Sequence, residues 1–333
     1  MIFGGFIVRK TLSFIIAAVM AVSCLCACSP AANEAGNGKI QIVTTIFPEY
    51  DWVMNVLGDN PAEAEVTMLL DNGVDLHSYQ PTAADILKIS TCDMFIYVGG
   101  ESDEWVEDAL QEATNKDMVV INLLDVLGDS VKEEEVVEGM QEEDEHDHEE
   151  EEGETEYDEH VWLSLRNAAI LVQNISDSVQ SIDPANAETY RNNTASYVEK
   201  LNSLDEEYSA AVDNASCKTL LFGDRFPFRY LTDDYGLDYY AAFVGCSAET
   251  EASFETITFL SQKVDELGLH AVMTIEGTDH RIADTIVQNT QTKDQQILTL
   301  DSMQSTTSRD VQNGITYLSI MEGNLSVLTD ALN

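Results

Sequence analysis

The chain has 333 residues, with 61 Asp and Glu against 16 Lys and Arg, a formal net charge of −45 at pH 7. A surface this negative repels nucleic acid and anionic lipid and draws cations inward, which excludes nucleic-acid binding as its function. At 44% hydrophobic residues, the length suffices for two packed domains.

In chain order, Arg9 and Lys10 precede an apolar run from Leu12 to Val22, too short for a finished membrane span and suited to the core of an export signal. The run leads into Leu25-Cys26-Ala27-Cys28, which resembles a bacterial lipobox. Residues 1–27 then read as a signal peptide, Cys28 as the lipidated residue, and residues 28–39, rich in Ala, Asn and Gly, as a flexible tether. This places the mature chain on the extracytoplasmic face of the cell membrane, where it keeps 14 bases against 61 acids, a charge of −47. Beyond the signal region only Cys92, Cys217 and Cys246 remain. An odd number without zinc-ribbon spacing indicates neither a disulfide framework nor a Cys-rich metal site. Cys217 and Cys246 both flank strand-like segments, which leaves open a single bridge between them.

Short β-rich runs at 41–46, 65–70, 94–98 and 118–123 alternate with helical patterns near 50–57, 81–89 and 103–113. A second series follows, with strands at 218–222, 239–243, 271–275 and 296–300 and helices near 226–235, 253–267, 279–289 and 309–332. The alternation predicts an α/β protein of two parallel-sheet lobes, residues 40–183 and 214–333. Between them, 163–214 is helical in character except at Asp183-Pro184, where Asp183 suits a cap and Pro184 a first helical turn. Residues 184–213 therefore read as one rigid linking helix about 40 Å long, which holds the lobes around a fixed or slightly rocking cleft.

From Glu133 to His160 the chain carries seventeen carboxylates and three histidines with no Lys or Arg. Such a composition cannot form a core and predicts a solvated acidic insert within the first lobe, 133–159. His146 and His148 add imidazole, which shifts preference from calcium and magnesium toward zinc. Two histidines on a flexible chain make a weak collector of cations, not a tight site.

Ligands of open α/β sheets bind at the carboxyl ends of strands. There the sequence places His77 in "DNGVDLHSYQPTAAD", His160 in "YDEHVWLS", Asp224 and Arg225 in "GDRFPFRYL", Glu276 in "EGTDH" and Asp301 after Leu300. Each alone has an ordinary structural role available, as a loop hydrogen-bonder or a helix cap. Five such exits bearing polar groups in two lobes point instead to a ligand site in the cleft.

The stretches "VDLHSYQPTAAD" and "DEHVWLS" resemble the two histidine motifs of the zinc and manganese solute-binding lipoproteins of ABC transporters. "FRYLTDDYGL", "SAETEASFETI" and "LDSM" resemble later blocks of that family in order and spacing, so the resemblance covers the chain from about Gln41. It implies two α/β lobes joined by one long helix, with the metal in the cleft between them, and a monomer with no enzymatic activity that delivers its metal to an ABC permease. By the same resemblance His77 and His160 are ligands, Glu276 follows a zinc-type pattern and Asp301 a manganese-type one. The family's third ligand, a histidine or glutamate, falls where this chain has Arg225, and a guanidinium cannot bind a metal. Either Asp224 turns in to replace it, or Arg225 points away and leaves the remaining donors with water, or the site is weak. The expectation is that Arg225 turns outward to Asp233 or Asp234, with Asp224 as the compensating ligand. Two imidazoles with one or two carboxylates suit tetrahedral Zn²⁺ better than Mn²⁺, which takes more oxygen. The alternatives are a manganese-binding protein or adhesin of the same family, and an extracellular zinc metalloenzyme with Glu159 as general base. Against the enzyme, the chain contains no HExxH and no recognisable nucleophile motif.

Overall fold

The computed structural model describes residues 38–59, 64–141, 156–247, 251–277 and 279–333. The signal peptide, Cys28, most of the tether, and His146 and His148 lie outside these residues. From Ile40 onward the chain forms one compact unit.

Strands β1 (Ile40–Thr44), β2 (Ala64–Met68), β3 (Met94–Tyr97) and β4 (Val119–Asn122) make a parallel sheet in the order β2-β1-β3-β4. Strands β5 (Thr219–Phe226), β6 (Asp238–Val244), β7 (Ala271–Ile275) and β8 (Gln296–Leu300) repeat that plan in the order β6-β5-β7-β8. Runs such as Met94-Phe95-Ile96 and Ala271 to Ile275 are buried throughout, as parallel strands covered on both faces must be. The helices of the first lobe are α1 (Phe47–Leu57), α2 (Ala83–Thr91), α3 (Trp105–Gln111) and α4 (Leu123–Leu127). Next come α5 (Leu165–Ile182) and α6 (Ala187–Asp213), and then α7 (Arg229–Tyr235), α8 (Phe254–Leu267), α9 (Arg281–Asn289), α10 (Ser308–Gln312) and α11 (Tyr317–Leu332).

The joining helix is α6, whose buried residues Tyr190, Thr194, Tyr197, Leu201, Leu204, Tyr208 and Val212 recur every three or four positions on one face. Its first half serves the first lobe: Asn193 donates to Val56 O (3.0 Å) and Tyr197 to Asp51 (3.1 Å). Its second half serves the other lobe: Tyr208 donates to Met321 O (2.6 Å), and Asp205 accepts from Tyr235 (2.9 Å).

Three boundaries differ from expectation, each for a local reason. The long helix starts at Ala187 instead of Pro184, because Asp183 ends α5 and accepts from Asn186 Nδ2 and Tyr190 Oη, each at 2.7 Å, which closes a turn. The terminal helix splits in two, since Gly314 takes φ +97° and Thr316 opens a new capping box. Strand β5 continues through Phe226, where a helix was expected to begin, so Arg225 sits at a strand end.

The flanks of the acidic insert are also not merely solvated. Glu133 and Tyr157 form an antiparallel bridge, Met140 is buried, and Gln141 N donates to Ala242 O (2.9 Å). Glu135 accepts from Arg229 (2.7 Å) and Tyr239 (3.0 Å). Carboxylates with partners of this kind tie the segment to the second lobe.

Candidate metal centre

Both histidines sit in the same local device. His77 lies in a 3₁₀ turn after β2, and Asp75, two residues earlier, accepts from its backbone N–H (3.0 Å) and from Nδ1 (2.6 Å). His160 opens the 3₁₀ turn before α5, and Asp158 accepts from its N–H (2.8 Å) and its Nδ1 (2.9 Å). Since a carboxylate only accepts, Nδ1 is the donor in both rings, and the tautomer this selects in a neutral imidazole has its lone pair on Nε2, the form that binds a metal. The two rings lie 5.2 Å apart, His160 fully buried. His77 Nε2 is buried with no hydrogen-bond partner.

Asp75 is gripped from the second lobe. Arg225 reaches from the end of β5 to pair with its Oδ2. In the amide orientation that satisfies its neighbours, Gln304 Nε2 lies 3.1 Å from both Asp75 oxygens. Burial would raise the Asp75 pKa, but the His77 hydrogen bond and the Arg225 charge outweigh it and hold the carboxyl well below its usual range. Arg225 therefore does not turn outward. Asp233 is occupied by Lys132 (2.7 Å), and Asp234 by Ser164 (2.5 Å) with Arg166 at 3.7 Å.

The expected carboxylates take other partners. Asp224 Oδ1 accepts from Arg225 N (3.0 Å) and its Oδ2 from Ile275 N (3.3 Å), which fills the seam where β5 and β7 part after the Phe222–Met273 pair. Glu276 accepts from Ser302 N (2.7 Å), Ser302 Oγ (2.9 Å) and Gln304 N (3.1 Å). Asp301 accepts from Met303 N (2.8 Å), and burial, with the Glu276 charge beside it, pushes its pKa up to about 6.

Among the described residues, the donors whose ligating atoms lie within 4.8 Å of one another are His77, His160 and Cys246. Cys246 follows β6, and its backbone N–H donates to Glu134 (3.1 Å). All three remaining cysteines are free. Burial raises the Cys246 thiol pKa strongly, and the charges of Glu134, Glu159 and Asp158 raise it further. Glu159 is also buried: Oε1 accepts from Ser102 N (2.8 Å), while Oε2 has no partner and lies 3.8 Å from His77 Nε2. Sequence reasoning passed over Asp75, Asp158 and Cys246. The repeated Asp-x-His spacing would have revealed the first two, and the strand-exit criterion applied to β6 the third.

Two α/β lobes on one long helix, with imidazoles converging between them, are the architecture of a metal-capturing solute-binding protein. Residues 42–331 match the family described as "Zinc-uptake complex component A periplasmic", and the chain belongs to that family. It is 33% identical over 319 residues to the zinc-binding lipoprotein AdcA of Streptococcus pneumoniae, an alignment that covers 96% of this chain and 60% of that protein. It is 30% identical to the high-affinity zinc uptake system protein ZnuA of Bacillus subtilis, over 96% of each. The chain thus spans between 57% and 60% of the length of the AdcA proteins it matches. The Zn(II)-bound ZnuA-like domain of pneumococcal AdcA superposes with a TM-score of 0.68 at 30% identity, over 89% of this chain and 99% of that domain. Among the described residues, no helix is long and apolar enough to cross a membrane.

Proposed function

We propose that this chain is a lipid-anchored, extracytoplasmic protein that captures Zn²⁺ between its lobes and hands it to the permease of an ABC importer. The observation that carries this reading is the pair His77 and His160, each with Nδ1 tied to a carboxylate and Nε2 left for a metal, one of them buried and unpartnered. Buried polar atoms left unsatisfied mark a place where a ligand belongs. Family membership and the zinc-binding names of the relatives support the cargo and the importer. The basic, apolar and Leu25 to Cys28 sequence at the start supports export and lipidation. The function is binding and transfer, not catalysis.

In this reading Glu276, Asp301 and Asp224 act behind the ligands. Glu276 orders Ser302 and Gln304, and through Gln304 the Asp75 carboxylate that aims His77. Asp224 closes the β5–β7 seam from which Arg225 projects.

The test is calorimetry in competition with a chelator. His77→Ala and His160→Ala should each weaken zinc by more than about 100-fold, beyond what loss of an outer partner costs. Wild-type affinity in either variant would remove that histidine from the site.

A further inference from the structure

We infer that the third protein ligand is the thiolate of Cys246, supplied from the exit of β6, so that the centre is a His₂Cys site built for a soft divalent cation. The inference rests on the proposed zinc site and names a donor that site does not otherwise have. Arg225 occupies the place where the resemblance puts the third ligand, and its guanidinium is spent on Asp75. Cys246 Sγ comes from a different strand exit and lies with one ring nitrogen of each histidine inside 4.8 Å. For tetrahedral Zn²⁺, with bonds of about 2.0–2.1 Å to nitrogen and about 2.3 Å to sulfur, the donor-to-donor edge is about 3.5 Å. The three donors would have to draw together by up to about 1 Å per edge, within reach of side-chain rotation, to close on an ion.

Two further features fit. Gly245 precedes the cysteine, and a Cβ there would stand 3.0 Å from the His160 ring and 2.9 Å from Phe226 O. The missing side chain lets the β6 exit lie against His160 and brings Sγ in. The carboxylates of Asp158, Glu159 and Glu134 disfavour a bare thiolate but attract the cation that would ionise it, and Glu159 Oε2, 3.8 Å from His77 Nε2, has no hydrogen-bond partner. On coordination the thiol proton leaves to solvent, since a metal-bound thiol is deprotonated outright. A thiolate with two imidazoles favours zinc, whereas manganese prefers oxygen, so Cys246 sets selectivity as well as affinity.

X-ray absorption on the zinc-loaded wild-type chain tests this without any variant. A sulfur shell at about 2.3 Å beside the nitrogen shell is expected. The cobalt-substituted protein should show a thiolate-to-cobalt charge-transfer band, and Cys246→Ser should abolish it while the far-ultraviolet circular dichroism stays unchanged. The same variant should lose at least tenfold more affinity for zinc than for manganese. A nitrogen and oxygen shell alone in the wild type, or a band that survives Cys246→Ser, overturns the assignment. If His77→Ala still holds zinc, the site itself is misplaced. If His77→Ala loses zinc and no sulfur is seen, only Cys246 is wrong.

Discussion

Asp75 is where both lobes act on one ligand: it fixes the His77 tautomer from the first lobe while Arg225 and Gln304 hold it from the second. His160 depends on Asp158 in the same way, and the Asp158 carbonyl is pinned by Tyr230 Oη at 2.8 Å. Outer carboxylates of this kind orient the ring and raise its basicity. Asp75→Ala and Asp158→Ala should each weaken zinc by about 10–100-fold, less than loss of a histidine. Competition with a chelator measures it, and unchanged affinity in both would reduce these carboxylates to loop braces. That His77 and His160 meet was legible in the sequence because each stands in one of the two histidine motifs of the resemblance, although either alone had an ordinary role available. Arg225 was misread because its partner lies 150 residues away, across the cleft, while Asp233 and Asp234 are near in sequence but already engaged. Cys246 was passed over because its spacing matches no zinc motif; His77 and His160 meet it only through the fold.

All eight strands were visible as short β-rich runs between turn residues; inner strands such as β3 and β7, buried on both faces, leave an unbroken hydrophobic signature, whereas edge strands such as β2 and β8 are only half-buried. Helix ends were less visible, since single hydrogen bonds such as Asp183 with Asn186 decide them. The contact between α1 and α6 offers a test at this scale. Asp51 accepts from Tyr197 and from Asn55 Nδ2 (2.9 Å), and burial pushes its pKa up to about 6 despite the Tyr197 bond. A carboxyl that resists ionisation when folded binds its proton more tightly in the native state than in the unfolded one. Its contribution is fully present below the ordinary value near 3.9, and is lost as pH rises through about 6. Asp51→Asn keeps a neutral acceptor in place. In the metal-free protein it should gain about 1–3 kcal/mol over wild type at pH 8 and little at pH 4. Urea melts at the two pH values give the comparison, and equal stability at pH 8 would mean that Asp51 is ionised at little cost.

At the scale of the whole molecule, charge governs how cations arrive. Ten carboxylates and no Lys or Arg fall within residues 142–155, against a net charge of −45 for the full chain. The composition announced this field, but not that the neighbouring residues 133–141 would be built into the second lobe. That packing depends on partners such as Arg229 and Ala242, distant in sequence. It also puts Glu134 on Cys246 N, so the start of the acidic stretch braces the centre. The two parts should therefore respond differently to removal. Deleting 142–155 takes away charge without touching any donor of the cluster, whereas a deletion reaching into 133–141 also removes the Glu134 brace. The shorter deletion should leave the tight zinc affinity within about twofold and slow zinc capture several-fold at low ionic strength. The two rates should converge near 0.15 M salt, where the screening length falls to about 8 Å. Stopped-flow uptake across a salt series reads both quantities. Equal rates at low salt would show that these carboxylates do not steer cations to the cleft, and a large loss of equilibrium affinity would place part of the tight site within them.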